Sequence, residues 1–132
     1  MIRKITIINV RRPPQIDLNQ ELQVFGRMLG LFGERDRDRS CFRIFIELLK
    51  AKKLHLPLSS DELSERLNLS RGTVVHHINN MLERGLIAHE GRRYVLRSEN
   101  LEQLILDLQR DAELAFRELR KTARELDAFL NL

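Results

Sequence analysis

Apolar residues recur every three or four positions along most of this chain, and the periodic stretches are separated by Gly, Pro, Ser and Asn. The clearest stretch runs from Leu69 to Ile87. Ser70 is placed to cap a helix whose Val74, Ile78, Met81 and Leu82 share one side, and Gly85 suits the left-handed residue that closes it. Ser59 to Leu67 predicts a shorter helix just before it. Ser59 and Glu62 have capping-box spacing, Leu63 and Leu67 form the core pair, and Asn68-Leu69 makes the turn. Downstream, Leu86-Ile87-Ala88-His89 and Arg93-Tyr94-Val95-Leu96-Arg97 predict paired strands, with Glu90-Gly91-Arg92 between them.

The same reading extends to both ends. Residues 2–10 are rich in β-branched types and predict a strand, which Arg11-Arg12-Pro13-Pro14 would end. Leu18, Leu22, Phe25, Leu29 and Phe32 predict a helix over 18–32 that Gly33 closes. Gly26 and Gly30 inside it suggest close packing against another helix. Glu34-Arg35-Asp36-Arg37-Asp38-Arg39 alternates in sign and predicts a solvated connector. From Ser40 to Lys53, Phe42, Ile44, Phe45, Leu48 and Leu49 give a helix with one broad buried face, and Pro57 breaks the chain after it.

Residues 100–131 contain no Gly or Pro and predict one long helix. Leu101, Ile105, Leu108, Ala112, Ala115, Leu119, Thr122, Leu126 and Phe129 alternate in steps of four and three, which makes a heptad seam. A small domain has too little surface to cover such a helix. A second copy of the chain is the simplest cover, the alternative being a helix that folds back on its own domain.

Composition narrows the class. The chain has 132 residues, 42% of them hydrophobic and 32% charged, enough for one domain with a real core. The net charge of +4 is unevenly spread: about +6 over residues 1–58, +1 over 59–98 and −3 over 99–132. A basic front and an acidic tail suit a protein with one face toward phosphate. The start lacks a secretory pattern, no apolar run is long enough to span a membrane, and the lone Cys41 fits a reducing compartment; a cytoplasmic location is expected.

The candidate chemistry lies on the helix that starts at Ser70. Gly72, Val75, His76 and Asn79 lie away from its apolar side, with Arg71 and Thr73 near the amino end. Helix, turn, helix and hairpin is the layout of a winged helix-turn-helix, mainly α with a small sheet (α+β), and in that layout this face enters a major groove. Arg71 can bind guanine or phosphate, Thr73 a phosphate or a thymine methyl, and His76, Asn79 and Asn80 base edges. Ser70, Arg71, Gly72, Thr73, Val75, His76, Asn79 and Asn80 are therefore the candidate readers of double-stranded DNA, with Arg92 and Arg93 at the hairpin holding backbone or minor groove. Arg11-Arg12 could form a second arm near DNA or tie the amino terminus to a partner subunit.

Residues 59–97 resemble the winged-helix domains of the ArsR family of transcriptional repressors. The likeness is carried by Ser70, Thr73, Val74, His77 and Ile78, then by Gly85, Leu86 and Ile87. MarR-like and other winged-helix regulators share much of this signature. The resemblance implies a homodimer on operator DNA. It does not extend to the first 35 residues or to the length of the last helix. Many ArsR proteins sense metals, but here Cys41 is alone, the last helix has no His, and the adjacent His76 and His77 diverge by about 100° on a helix. His77 is expected beneath its helix, with His55 and His89 as ordinary surface or edge residues.

No nucleophile–base pair or phosphate loop appears, so no enzyme activity, metal or cofactor is expected. The organisation read from the sequence is a strand-and-helix extension over 1–35, a winged helix over 36–98 and a coiled-coil dimerisation helix over 99–132. The function read from it is sequence-specific regulation of transcription, in the direction of repression, by a homodimer on duplex DNA, with the effector unknown. A protein-interaction module and a nucleoid-type architectural protein are the alternatives.

Overall fold

A computed structural model of the chain describes residue 4 and residues 6–11, 17–33, 36 and 39–132. In order, the elements are α1 (Leu18–Met28), α2 (Ser40–Lys53), α3 (Ser60–Leu67), α4 (Arg71–Glu83), β1 (Ile87–Glu90), β2 (Arg93–Leu96) and α5 (Leu101–Leu130). The fold is thus mainly helical with a two-stranded antiparallel hairpin, the winged helix-turn-helix form expected from the pattern.

Local chemistry explains the helix ends. Asp17 and Ser59 each form a complete capping box, with Gln20 and Glu62 respectively. Ser70 accepts the Thr73 N–H, and Asn100 accepts that of Gln103. At the end of α4, Gly85 has φ of 71°. Its N–H reaches the Leu82 carbonyl and the Leu86 N–H the Met81 carbonyl, the paired bonds of a Schellman motif. The hairpin needs just two loop residues, Gly91 and Arg92, because Glu90 and Arg93 already pair; Gly91 takes φ of 65°.

One core joins these pieces. Ile44, Phe45, Leu48, Leu58, Leu63, Val74, Ile78, Met81, Leu86, Leu96 and Leu104 are all sealed within it, and Leu29 and Leu31 join from the α1 side. Leu58 exchanges both backbone hydrogen bonds with Tyr94, N to O at 3.1 and 2.8 Å. This single bridge adds a third strand position to the wing and fastens it to the chain between α2 and α3.

Three expectations need correction. First, Lys4 and Thr6–Arg11, the described part of the expected amino-terminal strand, form no strand. A strand needs a ladder partner, and this stretch meets a helix end instead: the Ile8 N–H bonds the Met28 carbonyl at 2.8 Å. Ile2, Ile5 and Arg12-Pro13-Pro14 lie outside the described residues.

Second, α1 stops at Met28. Gly30 takes φ of 67° and turns the chain so that Leu29 and Leu31 both enter the core, and Gly33 lies beyond the end. Gly26 does sit in a close contact, since a Cβ there would lie 3.1 Å from the Phe32 ring and 3.3 Å from that of Phe42, and the rings would have to give by a few tenths of an ångström.

Third, Asp36 is not a solvated connector residue. Its two carboxylate oxygens accept the Ser40 and Cys41 N–H groups at 2.9 and 3.0 Å, capping the start of α2. Burial pulls this carboxyl upward, but the Cys41 and Ser40 bonds outweigh it and hold Asp36 below the usual carboxylate value. Glu34, Arg35, Arg37 and Asp38 lie outside the described residues. On α5 the innermost residue is Leu104, fully buried and outside the heptad seam.

Leu101 and Leu108 pack beside Leu104, while Arg97 donates to Asp111 and Ser98 to Asp107, each at 2.6 Å. These contacts pin the first three turns of α5 to the domain. From residue 113 onward every position of the helix is exposed, including Ala115, Leu119, Thr122, Leu126 and Phe129 of the seam. Among the described residues, no helix is long and apolar enough to cross a membrane.

Leu104→Ala is expected to cost about 2–5 kcal/mol in urea unfolding, because it opens a cavity where α5 meets the core. A loss under about 0.5 kcal/mol would show that the helix is not held there. His77, whose Nε2 lies 3.9 Å from Asp36, supplies a pH test. Burial lowers the pKa of its imidazole below the usual 6.5, and His76 adds to this against the pull of Asp36. The folded state therefore favours the neutral ring. That contribution is complete above about pH 6.5 and is lost as pH falls through the unfolded value and then the folded one. The urea midpoint should drop between pH 7.5 and 5, and His77→Gln should shrink the drop; an unchanged drop in the variant would assign it to other groups.

Candidate nucleic-acid interface

The two sides of α4 differ sharply. Val74, Ile78 and Met81 are buried, which fixes the helix against α2 and α3. Arg71, Gly72, Val75, His76 and Asn79 are exposed and recur with helical spacing, so they form one outward strip, with Ser70 at its amino end. A Cβ at Gly72 would meet nothing within 4 Å. The fold therefore imposes no glycine there, and the bare backbone is open to close approach from outside.

The hydrogen bonds at the start of α4 divide the candidates. Ser70 Oγ accepts the Thr73 N–H at 3.2 Å and donates to Thr73 Oγ1 at 2.8 Å, so both hydroxyls are already engaged in the cap. Thr73 is half-buried as a result. Arg71 Nε lies 3.5 Å from Asp61 on α3, but both side chains are about three-quarters exposed. Such an exposed pair is weak and leaves Arg71 able to exchange Asp61 for phosphate. Asn80 differs from its neighbours: it is half-buried, and its Oδ1 is sealed without a hydrogen-bond partner among the described residues. It lines a groove of about 770 Å³ between α4 and the Gly30–Cys41 region, alongside His76 and His77.

The wing also separates its two arginines. Arg92 stands exposed in the hairpin loop and has no ion pair among the described residues. Arg93 faces back, with Nη1 donating to Glu62 and, at 3.5 Å, to the Pro57 carbonyl. Glu62 is the capping-box residue of α3, so one carboxylate fixes both that helix and the base of the wing. His89 and Tyr94 meet across the hairpin with ring centroids 5.1 Å apart and their planes tilted by 46°. Arg11, the described member of the possible second arm, is exposed.

One buried group, Arg84, escaped the sequence reading. Cys41, expected to fill core space, does so, and burial pushes its thiol up to about 11 against the opposing influence of Arg84. Arg84 caps the carboxyl end of α4 yet is buried. In the sequence it looks like an ordinary last-turn cation favoured by the helix dipole, and nothing in its spacing reveals the burial. Among the described residues, no cluster of three His, Cys, Asp or Glu side chains is arranged to hold a metal ion.

Comparison with known proteins gives this geometry a family. No curated protein and no solved structure matches the chain. Residues 28–106, more than half of its length, match the model of the Crp-like helix-turn-helix domain, a span that takes in α2, both helices of the turn, the wing and the start of α5. The chain belongs to the Crp-like helix-turn-helix family of DNA-binding transcription regulators.

Proposed function

We propose that the chain is a sequence-specific regulator of the repressor type that binds duplex DNA as a homodimer. The observation that carries this reading is the outward strip of α4, solvent-facing, beside a wing whose tip arginine is exposed and has no ion pair among the described residues. In this proposal Ser70, Arg71, Gly72, Thr73, Val75, His76, Asn79 and Asn80 form the major-groove surface, and Arg92 and Arg93 the wing contact. Within that set, Arg71, His76 and Asn79 read bases directly. Ser70 and Thr73 shape the helix start, Asn80 orients the helix from beneath, and Arg93 positions the wing through Glu62.

The homodimer is assigned to α5. Its 30 residues span about 45 Å, and the exposed seam carries Leu119, Leu126 and Phe129 with 63, 54 and 87% of their surface free. A second copy is self-complementary to such a stripe. The division proposed from this is an extension over 1–35, a reading unit over 36–98 and a dimerisation helix over 99–132. The ArsR-like character is proposed on Ser70, Thr73, Val74, His77 and Ile78, followed by Gly85-Leu86-Ile87, and it supplies the repressor sense.

Selection from a random duplex pool is expected to yield a palindrome with half-sites about one helical turn, or a multiple, apart. On that site Arg71→Ala should cost about 1–3 kcal/mol and relax preference at one base pair per half-site. Arg92→Ala should weaken all sequences alike and reduce the salt slope by about one per subunit. Gel shifts in which both variants bind as well as wild type would remove α4 and the wing from the interface. Sedimentation should give a dimer for the wild type, and Leu119→Glu/Leu126→Glu should give a monomer. A wild-type monomer at tens of micromolar would end the dimer proposal.

A further inference from the structure

Between the amino-terminal segment, α1 and α5 lies a cavity of about 360 Å³, within the usual range of small-molecule sites. Its walls are almost wholly apolar: Phe25, Met28 and Leu29 come from α1 and its cap, Leu86 from the start of the wing, and Ile105 and Leu108 from α5. Two basic residues are among those that line it, Lys4 and the buried Arg84. Arg84 is 5% exposed and has no carboxylate partner among the described residues. Its Nη1 and Nη2 reach the Gly30 and Thr6 carbonyls at a long 3.4 Å each, and its Nε is buried with no hydrogen-bond partner among the described residues.

A buried cation held by two stretched bonds to neutral carbonyls is undercompensated. An anion next to it would supply both the missing charge and an acceptor for Nε, and the geometry an arginine favours is that of a carboxylate. Lys4, exposed at the cavity rim, adds a second positive charge on the entry side. We propose that this cavity binds a small amphipathic carboxylate, its acid group on Arg84 and its apolar body between α1 and α5. The ligand class is a medium-chain or aryl-alkyl carboxylic acid. Because Arg84 is also the terminal cap of α4, the bound acid touches the far end of the helix assigned above to reading DNA.

The test titrates the full chain at pH 7.5 with octanoate and, separately, with 1-octanol, which has the same tail and no charge. Calorimetry is expected to give one octanoate per chain, bound at least tenfold more tightly than octanol. Arg84→Met should lose at least tenfold in octanoate affinity and keep its octanol affinity. Should that variant fail to fold, the wild-type protein still decides: the Arg84 Nε–Hε NMR signal should shift on adding octanoate and stay put with octanol. No octanoate binding, equal affinity for acid and alcohol, or a folded Arg84→Met protein with undiminished octanoate affinity would each overturn the proposal. Calorimetry and NMR do not depend on DNA binding. A change in gel-shift affinity on adding octanoate is a separate readout that rests on that function, so failure of the one is distinguishable from failure of the other.

Discussion

The burial of Val74, Ile78 and Met81 is the contact on which the rest of the structure depends. Each side chain contributes about 1.5–3 kcal/mol by leaving water, and together they fix which way α4 faces. They meet a core built from α2, α3, the hairpin and α5: Phe45 and Leu48 of α2, Leu63 of α3, Leu86 and Leu96 around the hairpin, and Leu104 of α5. A rotation of α4 by one residue would bury Val75 or His76 and expose the apolar row. The outward strip of Arg71, Gly72, Val75, His76 and Asn79 is therefore a by-product of packing as much as of surface selection.

Polar contacts refine this frame without creating it. Glu62 closes the capping box of α3 and receives Arg93, and Leu58 pairs with Tyr94, so the wing is tied to the helix-turn-helix at two points. Asp36 does comparable work on the opposite side, capping α2 while facing His77 on α4. Arg84 is the exception among these links. Where Arg93 meets a carboxylate, Arg84 meets, among the described residues, two carbonyls and leaves Nε without a partner.

The helices of the reading unit were legible in the sequence because several local signals agree at each end. Ser59 with Glu62, Ser70, and Gly85 each mark a boundary that periodicity marks independently. What escaped was set by distant partners. Asp36 sits in a run of alternating charge, and nothing local shows that its carboxylate will turn inward onto Ser40 and Cys41. The described part of the β-branched start, Lys4 and Thr6–Arg11, pairs with no strand among the described residues, a fact invisible in its own sequence. Leu104 was missed because α5 carries two apolar stripes, and the longer one drew the reading away from the one that docks. For the candidate interface, exposure on α4 followed from helical spacing, whereas the buried amide of Asn80 and the engaged guanidinium of Arg93 depend on neighbours far along the chain.

The outer part of α5 is exposed on every side from residue 113 to the end. A bare helical stretch of that length is marginal in water, since backbone bonds open to solvent and unshielded by side chains barely offset the entropy of ordering. Its persistence is thus a property of whatever lies against it more than of its own residues. In dilute and crowded solutions this chain need not be the same object, and ellipticity at 222 nm measured across a dilution series reports how much of its rigidity is borrowed.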